Sequence, residues 1–479
     1  GLSMGDAFGE LFFSISPHSA SWPDLRTGVW SWCDDTHMAL SIVEILIQYG
    51  RIDQDALAQA FARRYQADPY RGYAGGAARL LRQVAAGADW PQFMGPNGDG
   101  TSAEKGLLRA WPADGPKVLW TFAMGPGYGG AAIRDGKIYA MDRVDKKKDV
   151  LRCLDLGSGK EEWTFSYDAP GDINHDGSRS TPAVTEKHVY TVGPFGQFHC
   201  LDRTTHQVVW KKNLLTDYGT KPPRWAVAQS PLLYQNLVVV APQADQVGVV
   251  AFDQATGVEK WRSEGIGPMG YCSPIKVTLD QVDQIVVVTP LGVVAVRASD
   301  GKVLWKYAHA CKIPIPNVTV LGGDRLFVTG AYLAGSAIIQ VSQDGGKWTV
   351  KELASINQSG GHCHPGLLFQ DHLYLLCNIN ERSDGMVCFD LAGEVVWQTR
   401  KDPSLDKGGS VLTADGLMYV MDGRTGELYI VQPSPEGFKS LGKAKLLGGK
   451  EIWGPLALAG GKLVIRDQSQ MKCVDLQAH

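Results

Sequence analysis

Lysine is missing from the front of the chain: Lys105 is the first, every earlier cation being arginine, and lysine is common from there on. Cysteine pairs are also missing. The nine cysteines are scattered and form no C-x-x-C motif. That excludes a zinc ribbon or a disulfide framework as the organising device and leaves the thiols as apolar fillers, suited to a reducing compartment. A basic excess is absent too: 47 Lys and Arg against 50 Asp and Glu leave a net charge of −3. No electrostatic footprint for nucleic acid or an anionic membrane is expected. No apolar run is long enough for a membrane span, and no charged-then-apolar signal segment opens the chain. The first residue is Gly1 rather than Met, so the chain reads as a fragment or a processed product, compatible with loss of an export signal.

What is present changes character near Trp90. Apolar residues recur at helical spacing in 41–49 (Ile42, Ile45, Leu46), in 54–65 (Leu57, Ala60, Phe61, Tyr65) and in 79–86. Residues 1–88 are therefore expected to be a small all-α segment, with Gly50 and Gly87 at helix ends. The glycine- and proline-rich stretch 89–114 reads as a linker or lead-in loop. From 115 to 479 the chain alternates in short strand-like runs, with turn formers and tryptophan (56 Gly, 14 Trp).

These runs repeat. An apolar pair, an Asp, a turn and a Trp recur as Cys153-Leu154-Asp155 with Gly159 and Trp163, and as Ala251-Phe252-Asp253 with Gly257 and Trp261. Weaker copies end at Trp210, Trp305 and Trp397; the most degenerate run from Ile338-Ile339 to Trp348 and from Tyr429-Ile430 to Phe438. The pattern is that of a hairpin: Asp caps the turn, Gly takes positive φ, and Trp lands on the next strand to pack between repeats. A second unit, two apolar strands around a polar turn, appears eight times, at 130–141, 181–192, 230–240, 273–288, 318–328, 365–376, 411–420 and 455–465. Only seven Trp-type units follow. The eighth outer strand is supplied at the front, where Lys117-Val118-Leu119-Trp120 repeats Lys302-Val303-Leu304-Trp305. The chain is thus expected to be mainly β: an eight-bladed β-propeller over 115–479 closed by an N-terminal strand, with roughly 45 residues per blade.

The unit Asp253-Gln254-Ala255-Thr256-Gly257-Val258-Glu259-Lys260-Trp261 resembles the PQQ-like repeat of quinoprotein alcohol dehydrogenases and of BamB-like propellers, which are assembly scaffolds at the outer membrane. The stretch Asp89-Trp90-Pro91-Gln92-Phe93-Met94-Gly95-Pro96-Asn97-Gly98-Asp99-Gly100 resembles the start of exported bacterial BamB-like propellers. The resemblance implies either a binding or assembly-scaffold propeller in the periplasm or outside the cell, or a quinone-dependent oxidoreductase. The quinoproteins carry two adjacent cysteines over the quinone and a Glu, an Asn and an Asp around calcium. No two cysteines are adjacent here, so PQQ is not the expected cofactor and a binding propeller is the leading reading.

Gly5-Asp6-Ala7-Phe8-Gly9, then Asp34-Asp35-Thr36-His37-Met38-Ala39-Leu40, then Arg71-Gly72-Tyr73-Ala74-Gly75-Gly76-Ala77, resemble the ADP-ribosylglycohydrolase family in order. That resemblance implies a cytoplasmic setting and makes Asp34 and Asp35 ligands of magnesium, a hard cation suited to carboxylates. Cys33 stands where the family has Thr. The family's second Asp-rich motif has no counterpart in the chain, so 1–88 reads as a truncated, non-functional remnant, with a magnesium-dependent hydrolase as the alternative.

Propeller ligands sit at the channel mouth. The residues just before the inner strands, Arg179, Gln229, Tyr271, Asn317, His362, His364, Lys407 and Trp453, are diverse and polar, as a ligand funnel would be. His362-Cys363-His364, if extended, places two imidazoles on one strand face at a spacing that suits a transition metal. Asp172, Asn174 and Asp176 match the first half of a calcium loop, whose twelfth position is Ala183 instead of Glu. The expected partner is a protein, a polymer or a small polar ligand at the channel, and the expected state is a monomer.

Overall fold

The computed structural model describes residues 34–49, 57, 60–61, 64, 89–357, 359–378 and 383–478. The chain divides into two compact units, 1–88 and 89–479. In the first, helix Asp34–Tyr49 covers and extends the expected one, and residues 57, 60, 61 and 64 are helical as well. Ile45 and Ala60 are buried. Arg64 donates to Ser41 Oγ (3.1 Å) and to Glu44 Oε2 (2.9 Å), fastening the second segment to the helix. The Gly5–Gly9 and 71–77 motifs and the expected helix at 79–86 lie outside the described residues, as do the side chains of Asp34 and Asp35. No helix among the described residues is long and apolar enough to cross a membrane.

The second unit is an eight-bladed β-propeller. Blade 1 comprises Ala132–Arg134, Lys137–Val144, Lys148–Asp155 and Glu161–Asp168. Blades 2 to 7 span 183–213, 232–262, 275–308, 319–356, 367–398 and 410–445, each an antiparallel four-strand meander. Blade 8 has three consecutive strands in 457–475, and its fourth is Val118–Ala123, which pairs antiparallel with Gln470–Asp475 (Trp120 opposite Cys473). This is the closure expected from the repeated Lys-Val-Leu-Trp. The inner strands of blades 2, 7 and 8 are buried throughout, while the outer strand of blade 1 alternates half-buried and exposed. That alternation is what a sheet with one solvated edge requires.

The repeat chemistry works between blades. Asp253 Oδ1 accepts from the backbone N–H groups of Ala255 and Thr256 and from the Thr256 hydroxyl, capping the turn, and Asp155 and Asp202 do the same. Trp120, Trp163, Trp210 and Trp261 each lie on the turn of the following blade. A Cβ on Gly159 would come 2.4 Å from the Trp120 ring, one on Gly257 2.6 Å from Trp210, and one on Gly301 2.5 Å from Trp261. All three glycines also have positive φ, so this place demands glycine twice over. Blade 2 has His206 there, at φ 60°, and its ring stacks on Trp163 at 4.4 Å.

Two degenerate copies depart from the expectation. Trp348 pairs with Gln343 near the tip of a long blade 5 hairpin, and the position facing Ile338 is held by Ala354, which packs against Gly393. The hairpin is extended beyond the other blades' turns, which moves its tryptophan away from the neighbouring blade. In blade 7 the corresponding residue is Gly442, opposite Ile430, and Trp111 from the 89–114 segment lies over it, 3.0 Å from where a Cβ would stand.

That segment is part of the propeller and not a spacer. Trp90 bridges Ile133 of blade 1, the Val184 N–H of blade 2 donates to Pro91 O, and the Leu233 N–H of blade 3 donates to Gln92 Oε1. Across the axis, the Leu412 N–H donates to Gly100 O, and Thr101–Ser102 adds a parallel strand to blade 7. The segment therefore crosses the channel at the far ends of the inner strands and plugs it. At the other end, hydroxyls link neighbouring blades: Gly130 N donates to Thr181 Oγ1, Thr181 N to Ser230 Oγ, and Ser230 N to Ser273 Oγ, at 2.8–2.9 Å.

Because Trp120 closes the ring, covers Gly159 and donates its indole N–H to Leu156 O at 2.9 Å, Trp120→Ala should cost about 3–5 kcal/mol of unfolding free energy. Chemical denaturation measures this directly. A loss of less than about 1 kcal/mol, the scale of an ordinary substitution, would show that closure does not depend on this contact.

Candidate functional site

A cavity of about 340 Å3 occupies the channel mouth, with wall residues from the starts of the inner strands of all eight blades. Its size lies at the small end of ligand sites. Phe93, carried by the plug, contributes from below, so the channel is a one-ended funnel.

Aromatic rings and cations make the wall. Tyr128 and Trp453 stand 5.6 Å apart, and Trp225 and Tyr271 5.4 Å apart. His175 bridges the two pairs, 5.7 Å from Trp453 and 6.3 Å from Trp225. The Arg179 guanidinium lies over Tyr128 at 5.3 Å, and Lys407 Nζ over Trp453 at 5.0 Å. Both are cation–π contacts that fix the charge against the wall. Arg179 is braced by the carbonyls of Asn174, His175 and Gly177, and burial lowers its pKa from the usual arginine value. Among the described residues no Asp or Glu lines the cavity. Two stand behind the wall: Glu451 accepts from Tyr128 Oη (2.5 Å) and His175 Nδ1 (3.0 Å), and Asp406 lies 3.9 Å from Lys407.

His362 and His364 belong to the same wall and are each 7% exposed. The His362 Nδ1–H donates to Asn378 O at 3.1 Å, and the His364 Nε2–H to Trp453 O at 2.8 Å. A carbonyl only accepts, so each bond fixes a neutral tautomer. In His364 that leaves Nδ1 as an acceptor, and this atom is buried without a partner. Burial holds both imidazoles down to about 4 and pushes the Cys363 thiol up to about 12.

Of the expected mouth residues, Arg179, Tyr271, His362, His364, Lys407 and Trp453 line the cavity. Gln229 and Asn317 are not among its lining residues. Gln229 clasps the backbone of Ala241 through both ends of its amide (2.7 and 2.6 Å), and Asn317 Oδ1 accepts from Cys272 Sγ. His362-Cys363-His364 is a bend before strand Leu367–Phe369 and does not form a strand face. Among the described residues no group of three His, Cys, Asp or Glu is placed to hold a metal ion. In the calcium-like loop, Asp172 pairs with Lys146 (3.2 Å), Asp176 accepts from Arg143 Nε (2.9 Å), and the Asn174 carbonyl serves Arg179. The loop's carboxylates thus face cations separately and do not share a point; what the loop delivers to the cavity is His175.

Tyr128, His175, Trp225, Tyr332 and Phe93 were not legible as site residues. They come from connecting loops, a turn and the plug, off the period of the repeat. The one available signal was the aromatic content of loops that need none for a turn.

The quinoprotein pattern does not fit this wall. Among the described residues that line it, Cys363 is the one cysteine, its sequence neighbours are histidines, and no carboxylate is there to bind calcium or act as a base.

Residues 146–312 match the family model described as outer membrane protein assembly factor BamB, and residues 1–124 match that of ADP-ribosylglycohydrolase. These are the two families that the sequence motifs resemble. The ADP-ribosylhydrolase ARH3 of Danio rerio is 29% identical over 124 residues, 22% of this chain and 34% of that protein. The chain therefore spans about a third of the length of this curated relative. Among solved structures, a europium-containing methanol dehydrogenase superposes with a TM-score of 0.57 at 15% identity, covering 81% of this chain and 89% of that one. BamB from Moraxella catarrhalis gives 0.52 at 14% identity, covering 75% and 99%. Quinohemoprotein alcohol dehydrogenase from Comamonas testosteroni gives 0.57 at 14%, covering 93% and 85%. At such identities the likeness is one of fold.

The two cavity histidines carry a pH prediction. Their folded pKa of about 4 lies below the value of about 6.5 expected in the unfolded chain. Between those values the unfolded state binds more protons, so stability falls as pH drops from about 6.5 to about 4 and is flat above. Each histidine contributes a slope of up to ~1.4 kcal/mol per pH unit. His364→Gln should flatten the denaturation-derived stability profile by about one proton in that window; an unchanged slope would show that His364 is not held neutral by burial.

Proposed function

We propose that the propeller is a binding module whose funnel takes a small anionic ligand. The observation that carries this reading is a wall of aromatic rings with two cations held on them and, among the described residues, no carboxylate. Such a wall offers a ligand ring faces and positive charge, and among the described residues it holds no carboxylate base and no metal cradle. Electron transfer through a bound quinone is therefore not the reading preferred. Fold likeness alone does not choose between these activities. A role as an assembly scaffold is compatible with the same module, since Leu291 and Leu333 stand 64% and 69% exposed on the strand turns of blades 4 and 5 at the mouth face. For the first unit we propose a remnant without hydrolase activity of its own. Magnesium-dependent release of ADP-ribose by the full chain would overturn that.

The binding reading is tested by thermal unfolding of the full chain with a series of small anions: phosphate, sulfate, benzoate and glucuronate. At least one should raise Tm in proportion to the logarithm of its concentration, and Lys407→Glu should abolish the shift. If no anion stabilises the folded chain, or if reconstitution with PQQ and calcium yields alcohol-dependent dye reduction, the reading fails.

A further inference from the structure

We propose that the ligand of the funnel is an acidic monosaccharide, a pyranose bearing a carboxylate; this rests on the binding reading above and narrows it to one chemical class. Three features converge. The Trp225–Tyr271 pair, tilted by 37° at 5.4 Å, is a platform on one side of the cavity. The apolar C–H face of a pyranose matches an aromatic face, and no cation of the described residues lies over either ring of this pair. Arg179 and Lys407 are held on Tyr128 and Trp453, and both line the same cavity. They stand just before the inner strands of blades 2 and 7. The third feature separates a sugar from a flat aromatic acid. His364 is more than nine-tenths buried, its Nε2–H is spent on Trp453 O, and its Nδ1 is an acceptor with no partner. A buried acceptor left without a donor is costly, and a hydroxyl of the ligand supplies the missing donor. Benzoate and similar aromatic acids have no such group.

The test is a tryptophan-fluorescence titration of the full chain with glucuronate, glucose and benzoate. Glucuronate should bind saturably and at least tenfold more tightly than glucose, which has the same ring and hydroxyls without the charge. Trp225→Ala, in an inter-blade loop, and Lys407→Gln should each weaken glucuronate at least tenfold. His364→Phe should weaken glucuronate and leave benzoate unchanged or improved. Equal binding of glucose and glucuronate would overturn the charge assignment and with it the proposal. Binding of benzoate without glucuronate would overturn the sugar class and leave the anion-binding funnel standing. If the variants fold, as judged by unchanged melting, but bind glucuronate like the parent chain, the site lies elsewhere and the proposal fails.

Discussion

The pairing of Val118–Ala123 with Gln470–Asp475 is the contact on which the rest of the ring depends. A radial array of meanders leaves two exposed sheet edges unless its ends share a blade, and exposed edges invite association with other chains. Closure also sets where the preceding residues must go. A strand arriving on the outside of blade 8 has to come from somewhere, and 89–114 arrives by crossing the channel, touching the inner strands of blades 1, 2, 3 and 7 on the way. The plug is thus tied to the closure by chain connectivity. It converts a tube into a cup, and it puts Phe93 at the cavity. The front of the propeller sequence consequently serves stability and the site together.

Within that cup the electrostatics are one-sided. The carboxylates nearest the mouth are engaged behind the wall: Glu451 by Tyr128 and His175, Asp176 by Arg143, while Asp406 stands beside Lys407. The cations remain in front, pinned on aromatic faces. A pinned cation loses less freedom on binding than a flexible one, which is the advantage of preorganisation. The histidines add polarity without charge, because burial favours their neutral form. The wall therefore combines ring faces, pinned positive charge and neutral imidazoles.

Much of this was legible in the residues, for physical reasons. The outer-strand tryptophans were visible because each must cover a turn at a fixed offset from Asp, and the turn must be glycine or tolerate positive φ. The closing strand was visible because it obeys the same rule out of order. Trp348 misled because its hairpin is longer than the others, so the offset from Ile338-Ile339 no longer measures position. The plug was read as a linker since its Gly and Pro are turn formers wherever they stand; here Gly95 and Gly100 are required by close approach, to the Trp90 ring and to Met94 and Leu367. At the mouth, counting back from each inner strand found six wall residues. It also returned Gln229 and Asn317, because polar groups at a strand start either face the axis or satisfy backbone and side-chain groups beside it. Sequence does not separate those two fates.

The same reasoning explains why likeness to both assembly factors and alcohol dehydrogenases coexists at 14–15% identity. The repeat fixes Asp, Gly and Trp at the outer turns, where the blades meet, and those positions are far from the axis. The mouth residues carry no such obligation, since each needs only to end a loop and begin a strand. Fold and function are therefore written in different residues of the same repeat. Likeness at 14–15% identity speaks to the ring alone, and the activity has to be argued from the eight strand starts and the loops between them. In this chain those positions hold Tyr128, Arg179, Tyr271, His364, Lys407 and Trp453, a set of rings, cations and a buried imidazole acceptor that no outer turn requires.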